Sequence, residues 1–281
     1  MKKVDQLGRR PFNINIPWCR SKPINQTAFV YLRYRCLNIQ MLYSTQQGKI
    51  AGSSIPNPES YKKTLNRIFD VLYKFNEVEI QGQENIPKDE PLLILANHRG
   101  SADIPAVARA IQPVGLTRFV AKTEIIKIPY IGKKMINDWG AISLDRNAPS
   151  SKFILSCLET FNYEDDSNLG IFHEGTRKKD NIDTVGEVPS LIARIACYGN
   201  VSIVPVGIVG TEKKRNLVGF KNMYINVGES FKPEPIEATY DLAATTLEKL
   251  SSSDRIALKH TRNEIHENVQ NALNGAILLS K

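Results

Sequence analysis

The chain has 281 residues, of which 42% are hydrophobic, and it carries a formal net charge of +8. This length allows one large hydrophobic core with a small accessory region, and the composition is that of an ordinary globular protein. No apolar run approaches the ~18 residues that a membrane-spanning helix needs, so we expect no transmembrane span.

The cysteines predict a reduced, cytosolic-type compartment. The four of them are scattered along the chain, and none forms a CxxC or a Cys–His pair: Cys19, Cys36, Cys157 and Cys197. Metal sites built from sulfur ligands have closer and more regular spacing than this. We therefore expect no metal bound through sulfur, and we expect no resident cofactor.

All of the excess positive charge lies in the N-terminal quarter of the chain. Residues 1–63 contain 11 Lys and Arg against two acidic residues, a balance of +9, whereas the remainder contains 26 basic and 27 acidic residues, a balance of −1. Residues 27–43 combine aromatic and aliphatic side chains with Arg33 and Arg35, a pattern typical of a helix in the lipid headgroup layer. We predict that residues 1–58 form a basic arm with such an interfacial amphipathic helix. A helix packed on the main domain, or a solvated arm, is the alternative.

Beyond a linker at 48–58 and a helix at 61–75, strand-like and helix-like segments alternate. Short apolar runs predict strands at 78–80, 91–96, 118–121, 140–144, 169–172, 202–208 and 224–227. Amphipathic stretches predict helices near 103–111, 130–137, 150–161 and 187–198, and two C-terminal covering helices at 241–250 and 254–272. We therefore predict that residues 59–281 form an α/β domain with a mostly parallel central sheet flanked by helices, preceded by an N-terminal helical region.

The most informative motif is Asn97-His98-Arg99-Gly100-Ser101-Ala102-Asp103, which lies between a predicted strand and a predicted helix. The first turn of that helix can fold the Asp103 carboxylate back onto the His98 imidazole and fix its tautomer, as a general base requires. A capped helix beside an unrelated loop histidine has the same spacing. The motif alone leaves both interpretations open.

Three further motifs follow at the ends of later strands. The second runs from Lys122 through Pro129 and Gly132 to Gly140 and Arg146, whose guanidinium suits a phosphate. The third comprises Phe172-His173-Glu174-Gly175-Thr176-Arg177, a tight glycine turn with charged groups that suit a phosphate and a polar network. The fourth is Val204-Pro205-Val206, which predicts only an edge strand or a bulge. Taken singly, these features are equally typical of surface charges or a salt-bridged turn.

In this order and spacing the four motifs resemble those of the glycerolipid acyltransferases, in particular the 1-acylglycerol-3-phosphate acyltransferases. The resemblance covers roughly residues 61–228. It departs from the family pattern at His173, where a proline is usual, and at Gly100 and Ala102, which are smaller than in many members. None of these changes removes a catalytic group, but they bear on the preference for acyl chain and acceptor.

The resemblance implies an enzyme of phospholipid biosynthesis that moves an acyl group from a thioester to lysophosphatidic acid, giving phosphatidic acid. It implies that His98 is the base and that Asp103 orients it. Arg146, Glu174, Gly175, Thr176 and Arg177 then belong to the acceptor site, with Lys122 a further candidate. The N–H groups near Arg99 and Gly100 are the candidate oxyanion donors. The expected partners are a membrane lipid surface and acyl-CoA or acyl carrier protein, at the cytoplasmic face of a membrane, with peripheral or monotopic attachment.

Three other functions remain open at this level. The first is acyl transfer to glycerol-3-phosphate or another lysophospholipid. The second is a zinc hydrolase using His98, Asp103, His173 and Glu174, although no HExxH or comparable metal-ligand cluster is present. The third is a non-catalytic protein that binds lipid through residues 1–63. Nucleic acid is not an expected partner, because the basic residues form no recognisable reader motif.

Overall fold

The computed structural model describes residues 60–61, 63–64, 66–67, 70, 77–100, 102–111, 117–130, 132, 134–135, 139–145, 151–161, 168–175, 177, 183–211, 214–215, 219–220, 222–236 and 251–281. Its strands are β1 (Val78–Gln81), β2 (Leu92–Ala96), β3 (Thr117–Lys122), β4 (Ile142–Leu144), β5 (Asn168–Phe172), β6 (Ser202–Val209), β7 (Lys214–Arg215), β8 (Gly219–Phe220) and β9 (Met223–Val227). Its α-helices are α1 (Asp103–Ala110), α2 (Thr123–Ile126), α3 (Ser151–Thr160), α4 (Ser190–Gly199) and α5 (Ser252–Leu279), and a 3-10 turn spans Gln83–Asn85.

Seven of the strands form one sheet in the order β1-β9-β6-β2-β5-β3-β4. Every neighbouring pair in it is parallel except β6 with β9. Strands β7 and β8 form a separate antiparallel pair. The prediction of a mostly parallel α/β sheet is therefore confirmed.

Helices cover both faces of the sheet, which is why β2 is buried along its whole length. Alternate residues of a strand point to opposite faces. Leu92 and Ile94 belong to the core that contains α1, whereas Leu93 and Leu95 belong to the core formed with α3, α4 and α5. The continuous apolar run before His98 thus reflects a strand buried on two sides.

The C-terminal helix α5 is longer than the predicted 254–272. It begins with a capping box in which Asp254 N–H donates to the Ser251 hydroxyl (3.0 Å) and Ser251 N–H donates to the Asp254 carboxylate (3.2 Å). Its buried residues recur every three or four positions and face β6. Gly207 of β6 permits this close packing, because a Cβ there would collide with the Ala272 carbonyl.

Pro205 lies inside β6, which is a central strand and not an edge strand. The ladder with β9 runs from Val209 to Val206 and then stops; pairing resumes at the isolated bridge between Ile203 and Phe231. The chain after β9 uses one residue more than β6 over this interval, so Pro205 lies at an interruption of the ladder and its missing N–H is tolerated. Of the two predicted contexts, the bulge is the one observed.

Two predictions lie outside the described residues: the basic arm at 1–58 and the helix at 241–250. The helix predicted at 61–75 is helical at its described positions between 60 and 70. Within the described part of the chain, no helix is both long enough and apolar enough to cross a membrane.

Candidate active site

The polar motif residues lie together at one edge of the sheet. Strands β2, β5, β3 and β4 are parallel neighbours, so their carboxyl ends meet at the same edge. The first motif follows β2, the third follows β5, and Lys122 ends β3. Ligands of open α/β sheets bind outside the carboxyl ends of the strands.

His98 and Asp103 form the predicted pair. The His98 Nδ1 atom lies 2.7 Å from Asp103 Oδ2, and the Asp103 side chain is fully buried. Phe172 stacks on the imidazole with a centroid distance of 4.6 Å. Because a carboxylate only accepts hydrogen bonds, Nδ1 is the donor in this pair, which leaves Nε2 as the ring nitrogen that can accept a proton.

The same carboxylate oxygen also holds the loop that carries the histidine. The N–H groups of Arg99 and Gly100 donate to Asp103 Oδ2 at 2.6 and 2.8 Å. An N–H that is bonded to a carboxylate is not directed at a substrate oxyanion. The prediction that these two N–H groups line an oxyanion hole is therefore wrong, and both groups instead fix the position of Asp103.

Glu174 is the second centre of the network. Its carboxylate accepts from Arg99 Nη1 at 2.9 and 3.2 Å, from the His98 N–H at 3.0 Å and from the Gly186 N–H at 2.9 Å. The side chains of Arg99 and Glu174 are 1% and 2% exposed. A carboxylate that accepts four hydrogen bonds from three donor groups holds the loop and is not free to bind a phosphate, so the predicted acceptor-binding role of Glu174 is wrong.

Helix α5 and the segment at 183–188 complete this network, a role that the sequence did not predict for either of them. Arg99 Nη2 donates to the Thr184 carbonyl at 3.0 Å. Gln270 of α5 accepts from the Val185 N–H at 2.9 Å and donates to the Asp183 carbonyl at 2.9 Å. Gln270, which is 172 residues after His98 in the sequence, thus holds the segment that holds Glu174, and no local sequence signal connects them.

Asn97 and His173 tie the ends of neighbouring strands together. The Asn97 side chain donates to the Ile208 carbonyl (2.9 Å) and accepts from the Ile208 N–H (2.7 Å), which extends the β2–β6 pairing by one residue. His173 Nδ1 lies 3.1 Å from the Ala96 carbonyl oxygen. Asn97 belongs to the first motif, but its role in joining the ends of β2 and β6 depends on these two strands being neighbours in the sheet.

His173 is buried and neutral at physiological pH. Burial lowers its pKa to about 4, against a partial opposite effect of the Glu174 carboxylate. The residue is 2% exposed, and its bond to Ala96 joins β5 to the strand that precedes His98. It adds a hydrogen bond that a proline could not make, and its partner is Ala96, whereas the partner of Asp103 is His98.

A cavity of about 1270 Å³ opens beside His98. Its wall is mostly apolar and is built by β3, β4, β5, α3 and α4, with the side chains Val120, Ala121, Ile125, Met135, Trp139, Leu144, Phe153, Ile171, Phe172, Leu191, Ile192 and Ile195. Such a lining, with a few polar groups at one position, is typical of a site for a largely apolar ligand.

Four basic residues also line this cavity: Arg67, Lys122, Lys134 and Arg177. Lys122 is half-buried and the other three are exposed. Gly175 has a φ of 68° and closes the turn after β5 through its N–H bond to the Phe172 carbonyl (2.9 Å). Lys122, Gly175 and Arg177 thus lie at the predicted place, whereas Arg146 and Thr176 fall outside the described residues.

The zinc alternative finds no support in the described part of the chain, where no group of three or more His, Cys, Asp and Glu side chains could hold a metal ion. Asp103 and Glu174 are instead committed to backbone N–H groups and to Arg99. The arrangement suits proton transfer next to an apolar cavity.

Comparison with known proteins supports the same interpretation. Residues 77–209 match the model of the Acyltransferase family. A chloroplastic 1-acyl-sn-glycerol-3-phosphate acyltransferase of Brassica napus is 32% identical over 145 residues, which are 50% of this chain and 40% of that protein. A 1-acyl-sn-glycerol-3-phosphate acyltransferase of Bacillus subtilis is 24% identical over 169 residues, covering 60% of this chain and 81% of the relative.

The fold has a counterpart among solved structures. The 1-acyl-sn-glycerophosphate (LPA) acyltransferase from Thermotoga maritima superposes with a TM-score of 0.51 and 24% identity, over 76% of this chain and 78% of that one. The resemblance inferred from the four motifs is confirmed by the family match over residues 77–209 and by these relatives.

Proposed function

We propose that this acyltransferase-family domain transfers a fatty acyl group from a thioester to the free hydroxyl of lysophosphatidic acid, giving phosphatidic acid for phospholipid biosynthesis. The observation that carries the proposal is the His98–Asp103 pair in the wall of a large apolar cavity that basic residues also line. The relatives named above as 1-acyl-sn-glycerol-3-phosphate acyltransferases support the choice of acceptor.

His98 is the general base in this reaction. Its Nε2 removes the proton of the acceptor hydroxyl while Asp103 stabilises the imidazolium that forms. The substrate oxygen forms a bond to the thioester carbonyl carbon, and the tetrahedral intermediate collapses with cleavage of the C–S bond. The imidazolium then returns its proton to the departing thiolate. No acyl-enzyme intermediate is needed, because the substrate supplies the nucleophile.

The two substrates are recognised by different parts of the cavity. An acyl chain matches the apolar wall, because burying it there removes both surfaces from water. A phosphate matches the basic groups of Lys122 and Arg177, the two predicted acceptor residues that are described and carry a positive charge. Of the predicted acceptor-binding residues, we therefore assign the phosphate to Lys122 and Arg177 and not to Glu174.

The partners follow from the same chemistry. The acyl donor is a thioester of coenzyme A or of acyl carrier protein, and the acceptor is a membrane lipid. We place the protein at the cytoplasmic face of a membrane with peripheral or monotopic attachment. Beyond the thioester co-substrate no cofactor is required, because proton transfer by His98 supplies the catalysis.

The test is an acyl-transfer assay with purified protein and both donors. Each donor is combined with lysophosphatidic acid, glycerol-3-phosphate and a lysophospholipid that lacks a terminal phosphate monoester. We expect phosphatidic acid as the main product. His98→Ala lowers the rate by about 10²–10⁴-fold, the usual contribution of a general base. His260→Ala, at a highly exposed histidine on α5, is the matched control and keeps the wild-type rate.

Each outcome of this assay is informative. If glycerol-3-phosphate is acylated faster than lysophosphatidic acid, then glycerol-3-phosphate is the acceptor, and the roles proposed for His98 and Asp103 stay the same. A folded wild-type protein without transfer to any acceptor would contradict the proposal in favour of a lipid-binding protein. A wild-type rate in His98→Ala would exclude the assigned base.

A further inference from the structure

The segment at 125–130 exposes an unusual share of large apolar side chains. Ile125, Ile128 and Tyr130 are 38%, 44% and 88% exposed. They are three of the five exposed large hydrophobic residues in the described part of the chain, and the other two, Ile256 and Leu278, are far apart on α5. Single exposed apolar residues are ordinary, whereas a cluster within six residues marks an interaction surface.

The backbone holds Tyr130 in this exposed position. Tyr130 has a φ of 63°, the left-handed conformation that glycine and asparagine adopt more readily than tyrosine. The turn is fixed by N–H bonds from Gly132 to the Ile128 carbonyl (2.8 Å) and from Lys134 to the Tyr130 carbonyl (3.0 Å). An aromatic residue in a conformation unfavourable to it, with no burial in return, indicates a role outside folding.

The charge around these residues is positive. Lys127 lies between Ile125 and Ile128 in the sequence and is exposed, and Lys134 is exposed one turn beyond Tyr130. Glu124 is the one acidic residue between 122 and 135. Exposed aromatic and aliphatic side chains next to lysines are typical of a surface that binds a bilayer, with the apolar groups near the acyl chains and the lysines near anionic headgroups.

This surface is continuous with the cavity. Ile125 and Lys134 line the cavity together with His98, whereas Ile128 and Tyr130 lie outside it. An amphipathic acceptor resting in a bilayer would therefore reach the base along the same segment that contacts the lipid. Charge, exposure and continuity with the cavity all favour a lipid surface over a protein partner.

We infer that the segment at 125–130 is a membrane-docking loop. It inserts Ile128 and Tyr130 into the interfacial layer of an anionic bilayer and holds Lys127 against the headgroups, so that the cavity opens toward the membrane. The inference deepens the proposed function, since it names the surface from which the acceptor enters, but lipid binding by the loop is measurable without any catalytic turnover.

The experiment measures binding of the full chain to vesicles of phosphatidylglycerol and phosphatidylcholine by co-flotation. The test variant is Ile128→Ser/Tyr130→Asn, because asparagine tolerates the left-handed backbone and should not disturb the turn. The matched control is Ile256→Ser/Leu278→Ser, which removes two equally exposed apolar side chains from α5. We expect the test variant to bind about tenfold more weakly, and the control to bind like the wild type.

A second measurement detects insertion directly. In Tyr130→Trp, vesicles with brominated acyl chains should quench the added tryptophan fluorescence, measured as the increment over the wild-type protein. Vesicle binding equal to the wild type in the test variant, together with no added quenching, would overturn the inference. A blue-shifted emission of the added tryptophan without vesicles would overturn it too, because another part of this chain or a second copy would then cover the loop.

The acyl-transfer assay separates this inference from the proposed function. With a short-chain acceptor below its aggregation concentration, the test variant should turn over at the wild-type rate, while turnover of vesicle-bound acceptor falls with the loss of binding. Equal loss on both acceptors would contradict docking as the role of the loop. A wild-type protein that docks through this loop but transfers no acyl group would contradict only the proposed function.

Discussion

The carboxyl ends of β2 and β5 carry a network of hydrogen-bonded polar groups, whereas the carboxyl ends of β3 and β4 carry the apolar wall of the cavity. In the polar half, Asp103 and Glu174 are each bound by several N–H groups, and their positions are set by directional bonds. In the apolar half, the shape of the cavity and the burial of apolar surface determine which ligand fits, and the hydrophobic effect has no preferred direction. The comparison indicates that the first half fixes the chemistry and the second selects the substrate.

The largest effect on turnover is expected for Asp103→Asn, in the polar half. The amide can present its NH₂ group to His98 and so favour the wrong tautomer. The N–H groups of Arg99 and Gly100, which donate to Oδ2 in the wild type, would then lose their acceptor. We expect the turnover rate to fall by about 10²–10⁴-fold with acceptor binding retained. Steady-state kinetics with circular dichroism as the folding control would measure this; a variant with near-normal turnover would show that Asp103 does not orient the base.

The next largest effect is expected at Glu174, and it concerns stability. Glu174→Ala leaves the buried Arg99 guanidinium without its carboxylate, which costs about 3–5 kcal/mol in unfolding free energy. Urea denaturation measures this cost. The double variant Arg99→Leu/Glu174→Leu should recover part of it, because no buried charge is then left unpaired. Equal stability of the wild type and Glu174→Ala would contradict the role assigned to the polar half.

The apolar half should respond in specificity and not in stability. Leu144→Trp adds bulk at a half-buried position in the cavity wall at the end of β4. We expect turnover with long-chain donors to fall by about tenfold relative to short-chain donors, since steric loss in an apolar pocket changes discrimination on this scale. Competition between two donors of different length gives the ratio directly. Leu278→Trp, on the exposed surface of α5, is the control and should leave the ratio unchanged.

The smallest effect at neutral pH is expected at His173. Its pKa is about 4 in the folded protein, against an ordinary value of 6.5, because burial disfavours the charged form. The unfolded chain therefore binds a proton below pH 6.5 that the folded protein binds only near pH 4. Its contribution to the unfolding free energy is fully present above pH 6.5 and falls by up to about 3 kcal/mol between pH 6.5 and pH 4.

Urea titrations at several pH values test this expectation. His173→Asn removes the titrating group and should flatten the decline of stability between pH 6.5 and 4. Its turnover at pH 7.5 should change far less than in Asp103→Asn, because His173 touches Ala96 and not the reacting atoms. An unchanged pH profile of stability would show that another group titrates in this range.

Much of the architecture follows from local pattern. Seven predicted strands appear within about two residues of their expected bounds, because continuous apolar runs between turn residues have few other ways to be buried. The longer C-terminal helix was underestimated at both ends, where capping and contacts with β6 extend it beyond its amphipathic centre. The approach of Asp103 to His98 was predicted correctly, because a strand followed by a helix within five residues allows the first helical turn to bring the two side chains together.

The errors at the site have two causes. The Arg99 and Gly100 N–H groups were assigned to an oxyanion, but they donate to Asp103, four and three residues further along the chain. Glu174 was assigned to the acceptor, but it binds the loop of the first motif and Gly186, and the first of these partners lies about 75 residues away, a separation that no spacing rule reports. Whether a charged residue at the end of a strand binds the substrate or holds a loop depends on which segments pack against it.

Sequence alone therefore determined the seven strands of the main sheet and the pairing of His98 with Asp103, because both depend on interactions within a few residues, and the order of its four motifs gave the resemblance to acyltransferases. The tertiary structure decided which charges are buried in the network and which are exposed, since burial depends on distant segments. It also decided the apolar cavity and the loop with Tyr130 at its edge, because a cavity exists only between elements that have already packed.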